Sequence, residues 1–215
     1  MRLILIAKEP APGRAKTRLC PPCSDAEAAS IAEAALADTL ESVCGVAGVD
    51  PVVVLDGSPG PWLPAGVPVR PQRGGELDVR LAAAFADVGG PALLIGMDTP
   101  QVSPALLATA CVRLASADVD AVLGPAVDGG WWAIGLRRAD DEVFLGVPMS
   151  TSRTLHAQRA RLRERSLRVA ELPTLRDVDL AEDAAAVARE VPGSRFAAAV
   201  EASAIGRRAA LGVRV

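Results

Sequence analysis

Short apolar runs alternate along this chain with longer stretches of helical period. RLILIA (2–7), PVVVLD (51–56), PALLIGMD (91–98), DAVLGP (120–125) and WWAIGL (131–136) are too short for helices and nearly free of polar positions. That is the pattern of strands buried on both faces. Two weaker strands are expected at 67–69 and in RVAEL (168–172). The helical stretches announce their starts. Ser24 followed by Glu27 is a capping-box signature at the head of SDAEAASIAEAALADTLESV. Ser103 and Pro104 supply an N-cap and a first helical residue for SPALLATACVRLAS. GGELDVRLAAAFADV reads as a turn and then a helix, a further helix is expected over about 151–166, and DVDLAEDAAAVAREV opens another.

Strands alternating with helices predict an α/β fold: a doubly wound, mostly parallel sheet with helices on both faces. The expected organisation is one domain over residues 1–215 with a C-terminal helical tail over about 193–211, without internal repeats or linkers. In such sheets ligands lie outside the carboxyl ends of the strands. The loop after the first strand, Asp98 and the tight AVDGG turn all fall there, so they can converge on one cleft.

Composition narrows the chemistry. Half the residues are apolar, only 3% are aromatic and none is Tyr, so the core must be aliphatic. A net charge of −3 argues against a nucleic-acid partner, which needs a basic footprint. No stretch approaches the roughly 18 apolar residues of a membrane span, and the first apolar run is too short for a signal peptide. A cytoplasmic protein is therefore expected. Cys20 and Cys23 have the spacing of a redox or metal pair, but His156 is the only histidine, which makes a poor zinc set. A turn leading into a helix is the simpler reading of CPPC.

AKEPAPGRAKTRL (7–19) holds both lysines of a chain that otherwise uses arginine. Lys8, Arg14, Lys16 and Arg18 place four cations just after a buried strand, and Gly13 allows unusual dihedrals. Lysine offers a compact point charge where the arginine fork would not fit, so the loop reads as an anion or phosphate cradle. Its glycine spacing is not that of the G-x-x-x-x-G-K-[ST] phosphate loop. Lys16 is the better phosphate contact, while Lys8, at the strand exit, reads as neutralising Glu9 or a helix C-terminus. Asp98, backed by Pro100, holds one carboxylate at the cleft. Asp177 and Asp179 precede a helix and read either as N-caps or, together with Asp98, as a magnesium site at a phosphate. In GPAVDGGWWAIGL, Gly129 and Gly130 let a ligand approach the backbone, and Asp128 can accept from hydroxyls. Trp131 and Trp132 face opposite ways on a strand, one to the core and the other free to stack on a base or sugar. In RTLHAQRARLRERS, Arg159 with Arg163 and Arg161 with Arg165 are like-charge pairs, unfavourable unless paired elsewhere. That helix reads as a solvated face or the rim of a homodimer.

The segments AKEPAPGRAKTRL, IGMDTP, LGPAVDGGWWAIGL, VPMSTSRTL and DVDLAEDA occur in this order from residue 7 to about 185. In them the chain resembles a bacterial transferase family described as GT-A-type glycosyltransferases, some members of which are associated with arsenosugar pathways. The wider resemblance is to the nucleotide-diphospho-sugar transferase fold, which also includes cytidylyl- and guanylyltransferases. It implies that Arg14, Lys16 and Arg18 lie over a triphosphate, with Lys8, Gly13 and Gln72 completing the nucleotide- and phosphate-binding set. It implies Asp98 and Asp179 as metal ligands for Mg2+ or Mn2+, and Lys16, Arg18 and Asp98 as catalytic residues. Asp128, Gly129, Gly130, Trp131, Ser150 and Thr151 would bind the acceptor. The chain departs from the family pattern at Trp131-Trp132, where Tyr-Tyr is usual, and at Met149, where Trp is usual. It also carries Glu76 for Asp and Asp78 for Gly, the latter placing a carboxylate where a phosphate or base could approach.

The expected function is thus a magnesium-dependent nucleotidyltransferase-like reaction. A phosphate- or phosphonate-bearing acceptor would attack a nucleoside triphosphate and release pyrophosphate. Glycosyl transfer from a nucleotide-sugar is the alternative, and non-catalytic nucleotide binding the third reading. The expected partners are small molecules, a nucleotide or nucleotide-sugar and an acceptor.

Overall fold

The computed structural model describes residues 1–212. Its centre is a seven-stranded sheet in the order β3-β2-β1-β4-β6-β5-β7. The strands are β1 (Arg2–Lys8), β2 (Asp50–Asp56), β3 (Val69–Pro71), β4 (Ala92–Gly96), β5 (Ala121–Pro125), β6 (Trp131–Leu136) and β7 (Val169–Glu171). The pairs β1–β2, β1–β4, β2–β3 and β5–β7 are parallel. Strand β6 runs antiparallel to both β4 and β5. The reason is local: residues 126–130 are too few for a crossover, so β5 and β6 can only form a hairpin. The sheet is therefore mixed, with a mostly parallel ladder as expected.

Alternation along β1 sends Leu3 and Leu5 to one face and Ile4 to the other. The first face packs Leu36 and Leu40 of α1 (Asp25–Cys44) and Leu107 and Leu114 of α3 (Pro104–Ala115). The second packs Leu81 and Phe85 of α2 (Leu77–Val88) and Leu162 of α4 (Thr154–Glu164). Phe85 stacks on Phe144 with ring centroids 5.2 Å apart. A third apolar cluster joins α1 to α5 (Ala181–Glu190), α6 (Arg195–Ala202) and α7 (Ala204–Ala210), and it contains Leu19 and Val178. Those two residues matter below, because each anchors a loop that carries charge into the cleft. No helix among the described residues is long and apolar enough to cross a membrane.

Element boundaries shift by a few residues from the sequence expectation. The third strand starts at Val69, and the helix expected from 151 starts at Thr154. The latter follows from a turn in which Ser150 takes φ 57° and the Thr154 hydroxyl accepts from the Thr151 amide at 3.1 Å. Three of the four arginines in and just after α4 find partners, Arg163 being the exception among the described residues. Arg159 meets Glu171 at 2.7 Å, Arg165 meets Asp140 at 3.0 Å, and Arg161 meets Glu164 at 3.3 Å and also caps the carbonyls of Glu142 and Leu145.

The C-terminal helices are tied to α1 by charge. Arg195 reaches Asp38 and Glu41, and Arg207 reaches Glu27 at 2.7 Å. Glu27 also accepts from the Ser24 amide at 2.8 Å, completing the capping box read from sequence. The Ser24 amide first, then Arg207 and the Ser24 hydroxyl, hold its carboxyl down at about 2. A carboxyl depressed in the folded state stabilises above its unfolded value, and that contribution fades as pH falls from there towards 2. Glu27→Gln should therefore lose about 0.5–1 kcal/mol at pH 7, solvent screening included. Urea unfolding across pH 7 to 2.5 should show the gap between variant and wild type closing below pH about 4.

Candidate active site

Strand β1 hands the chain to the basic loop at Lys8, whose amide donates to Met97 Sδ at 3.2 Å. Glu9 turns away to Arg14 (3.4 Å) and to the Ser58 amide (3.0 Å). The expected pairing of Lys8 with Glu9 is therefore not formed. Arg14 takes that place, also reaching Asp56 at 3.6 Å, and Lys8 stays exposed on the cleft wall, without an ion pair among the described residues. Gly13 lies off the wall and serves the turn, with φ +71°. Lys16 also takes a left-handed conformation, φ 52°, uncommon for a residue with a Cβ. The 3₁₀ turn Thr17–Leu19 follows, and buried Leu19 pins it to the third cluster.

Pinned in this way, the Lys16 side chain points inward and is only 6% exposed. Its ammonium stands 2.6 Å from Asp98 Oδ1 and 3.8 Å from Asp179 Oδ1, and it donates to the Val178 carbonyl. Asp98 lies two residues beyond the end of β4, and its carbonyl accepts from the Val178 amide at 2.9 Å. That backbone bond, with Val178 fully buried, stitches residues 177–179 to the end of β4. The flanking Asp177 and Asp179 consequently face the cleft. Neither is the N-cap of α5: the cap is Leu180, whose amide is held by Asp183 at 2.9 Å. Arg18 closes the group on Asp179 at 3.1 Å.

Asp177 is the most perturbed acid of the site. Burial first, then the neighbouring charges of Asp98 and Asp128 with a smaller push from Asp179, raise its carboxyl to about 8; Lys16 opposes them. Its Oδ1 is buried without a hydrogen-bond partner. With the chain's own groups, one lysine does not offset so many carboxylates, and the balance favours the protonated form of Asp177.

The cleft measures about 750 Å³ and opens at the carboxyl ends of β1 and β4. Gln72 borders it, donating to the carbonyls of Ala7 (2.7 Å) and Val54 (3.3 Å). Arg80 of α2 reaches Gln72 at 3.3 Å and Asp56 at 3.6 Å, while its Nε has no partner. The far wall carries Asp128, Gly130, Trp131, Ser150 and Thr151. Asp128 is held by the Gly130 amide at 2.8 Å. Gly129 sits behind the wall instead of on it. At φ +91° a Cβ there would stand 2.3 Å from the Ser152 carbonyl, and the Gly129 carbonyl accepts from Leu155 at 2.8 Å. Its part is thus to clamp the turn onto the 150–155 loop. Gly129→Ala should cost about 1–3 kcal/mol, read as a lowered midpoint in thermal unfolding.

The two tryptophans separate as the strand period requires. Trp132 is buried, donates to the Pro173 carbonyl at 2.9 Å and lies so close over Gly124 that a Cβ there would meet the indole at 2.5 Å. Trp131 is half-buried on the opposite face, with its Nε1 unpartnered. Asp78, expected near the ligand, is instead absorbed by the fold: its carboxylate accepts from the Val79 amide (2.9 Å) and the Gly146 amide (2.8 Å) and does not border the cleft.

Arg80 and Thr99, whose buried Oγ1 has no partner, also line the cleft and were not singled out from the sequence. Arg80 left a signal, for it shares the inward face of α2 with Leu77 and Leu81 at helical spacing. Among the described residues, no three Asp, Glu, His or Cys side chains close on one point as ligands. Yet the donor set fits a hard divalent cation: the carboxylates of Asp98 and Asp179, from two segments, meet at a positive charge that the chain itself supplies, and the orphaned Oδ1 of Asp177 belongs to the same cleft.

The sheet order, the helices on both faces and a cleft at the strand ends define the nucleotide-diphospho-sugar transferase class of fold. Within it, the chain belongs to the bacterial family described as "Uncharacterized protein conserved in bacteria" (DUF2064), whose sequence profile matches residues 31–151. That span carries IGMDTP and DGGWW but not the basic loop or residues 177–179. The structure is similar to a candidate nucleotide-diphospho-sugar transferase from Desulfovibrio desulfuricans G20, at 26% identity and TM-score 0.81, over 98% of this chain and 96% of that one. It shares its fold with CMP:2-keto-3-deoxy-manno-octonic acid synthetase complexed with CTP (15% identity, TM-score 0.57, 88% and 99% coverage). The same holds for Rv0371C from Mycobacterium tuberculosis H37Rv in complex with manganese (18% identity, TM-score 0.51, 89% and 100% coverage). No curated protein matches the chain in sequence.

Proposed function

We propose that this chain is a nucleotidyltransferase-like enzyme using Mg2+ or Mn2+. A phosphate or phosphonate oxygen of a small acceptor attacks the α-phosphorus of a nucleoside triphosphate. The bond to the bridging oxygen breaks, and pyrophosphate leaves with the electron pair. The observation that carries this reading is the division of one cleft between cations and acids. Lys8, Arg14, Arg18 and Arg80 border it beside Asp98, Asp177 and Asp179. Such chemistry needs positioning and charge stabilisation and no protein nucleophile. The basic residues hold the triphosphate, and Trp131, Ser150, Thr151 and Asp128 offer an apolar face and polar groups to the acceptor. Asp98 and Asp179 would hold the metal, which when bound supplies Lewis-acid charge to the phosphates.

Glycosyl transfer from a nucleotide-sugar is a second reading, favoured by what the Desulfovibrio relative is named for. A thermal-shift panel of nucleoside triphosphates, diphosphates and nucleotide-sugars, each with and without magnesium, separates the two. A ligand at 100 times its dissociation constant adds about 2.7 kcal/mol. The largest shift should come from a triphosphate with magnesium, followed by pyrophosphate release with a phosphorylated acceptor. A nucleotide-sugar that shifts most and yields nucleoside diphosphate would replace this reading with the second. Magnesium-independent binding without turnover would leave only a nucleotide-binding protein.

A further inference from the structure

We propose that Lys16 is the resident counter-cation of the acid cluster, and that its ammonium exchanges with a divalent metal ion and turns to the phosphate side of the cleft. The inference rests on the metal-dependent reading above and adds a moving part to it.

The ammonium occupies the place a metal would need. Its partners are two carboxylates from separate segments and one backbone carbonyl, all hard oxygens. A divalent ion at those oxygens would stand beside the ammonium, and the like charges repel at that range. The side chain is 6% exposed although its loop is at the surface, so it is seated in the cluster and not solvated. Its left-handed backbone, fixed by the turn that Leu19 anchors, aims the stem inward. A four-carbon stem ending in a point charge can be re-aimed by side-chain rotation alone, whereas a guanidinium would grip two carboxylates as a fork. This accounts for a lysine at this position in a chain that has only two among 23 Lys and Arg. The consequence is coupling. Metal bound without nucleotide must displace the lysine without compensation. With a triphosphate present the displaced ammonium gains a new anionic partner, so each ligand strengthens the other.

The test is Mn2+ binding followed by electron paramagnetic resonance, without nucleotide, on the full chain and on Lys16→Met. If the lysine is seated nine-tenths of the time or more, its removal should tighten Mn2+ binding about tenfold or better. Equal or weaker binding by the variant overturns the exchange while leaving metal-dependent transfer standing. Absence of Mn2+ binding by both proteins overturns the exchange together with the metal reading. Tighter binding without pyrophosphate release would uphold the exchange and remove the transfer reaction.

A second measurement needs no variant. Acetylation of surface amines, mapped by peptide, has Lys8 as its internal reference. Lys16 should be acetylated about tenfold more slowly than Lys8. Its rate, and not that of Lys8, should rise at saturating Mg2+. A Lys16 rate that Mg2+ leaves unchanged overturns the exchange.

Discussion

Asp98→Asn is expected to lower the rate of pyrophosphate release about 10³-fold, equivalent to ~4 kcal/mol of barrier. Asn keeps the shape and removes the charge. Asp98 is the closest carboxylate to the Lys16 ammonium, at 2.6 Å, and stands at the end of β4 where the basic loop and residues 177–179 meet. The fold should survive the change. The stitch to Val178 is made by the Asp98 backbone carbonyl, and the carboxylate itself is 43% exposed. Unfolding should move by about 1–2 kcal/mol, because the seated Lys16 ammonium loses its closest carboxylate and keeps Asp179 and the Val178 carbonyl. A variant with wild-type turnover would remove Asp98 from the chemistry and with it the proposed metal site.

Lys16→Ala should cost about 10²–10³ in the same assay, as removal of one preorganised charge does elsewhere. Two further readouts set this loss apart from a general weakening of the site. Metal should bind more tightly to the variant while turnover falls, since the lysine that competes for the oxygens is gone. Stability should fall by about 1–2 kcal/mol, because acids are left without their counter-charge. The penalty is modest because Asp98 and Asp179 are 43% and 38% exposed. Stopped pyrophosphate assays at several Mg2+ concentrations separate these effects. Activity restored by high Mg2+ alone would make Lys16 a charge-balancing residue without a part in phosphate contact.

Much of this architecture can be read before any coordinates. The strands are apolar runs, the α1 cap is a Ser24–Glu27 pair, and Pro104 marks the head of α3, each a signal confined to a few neighbouring residues. Lys16, Asp98 and Asp179 also stand out from sequence, because a lysine among arginines and acids beyond strands are local anomalies. Asp177 was legible as a helix-flanking acid or a magnesium ligand, but not as a buried one. Its raised carboxyl depends on burial and on charges from Asp98 and Asp128, which lie tens of residues away in the chain. Gly129 looked like a ligand contact, and its actual constraint is the Ser152 carbonyl of another loop. Asp78 looked like an obstacle to a ligand, and a backbone amide 68 residues distant takes it up.

The sequence by itself therefore determined the alternating elements, the cleft at the strand ends and the charge types brought to it, because periodicity, caps and strand exits are short-range physics. Only the tertiary structure decided who pairs with whom. It turned Glu9 towards Arg14 and left Lys8 without an ion pair among the described residues. It set the Lys16 ammonium among acids from two other segments, through an inward-aimed stem and a buried Val178. Charge pairing is decided by distance in space, and residues 16, 98 and 179 come within reach of one another only after the sheet has closed its order around β1 and β4.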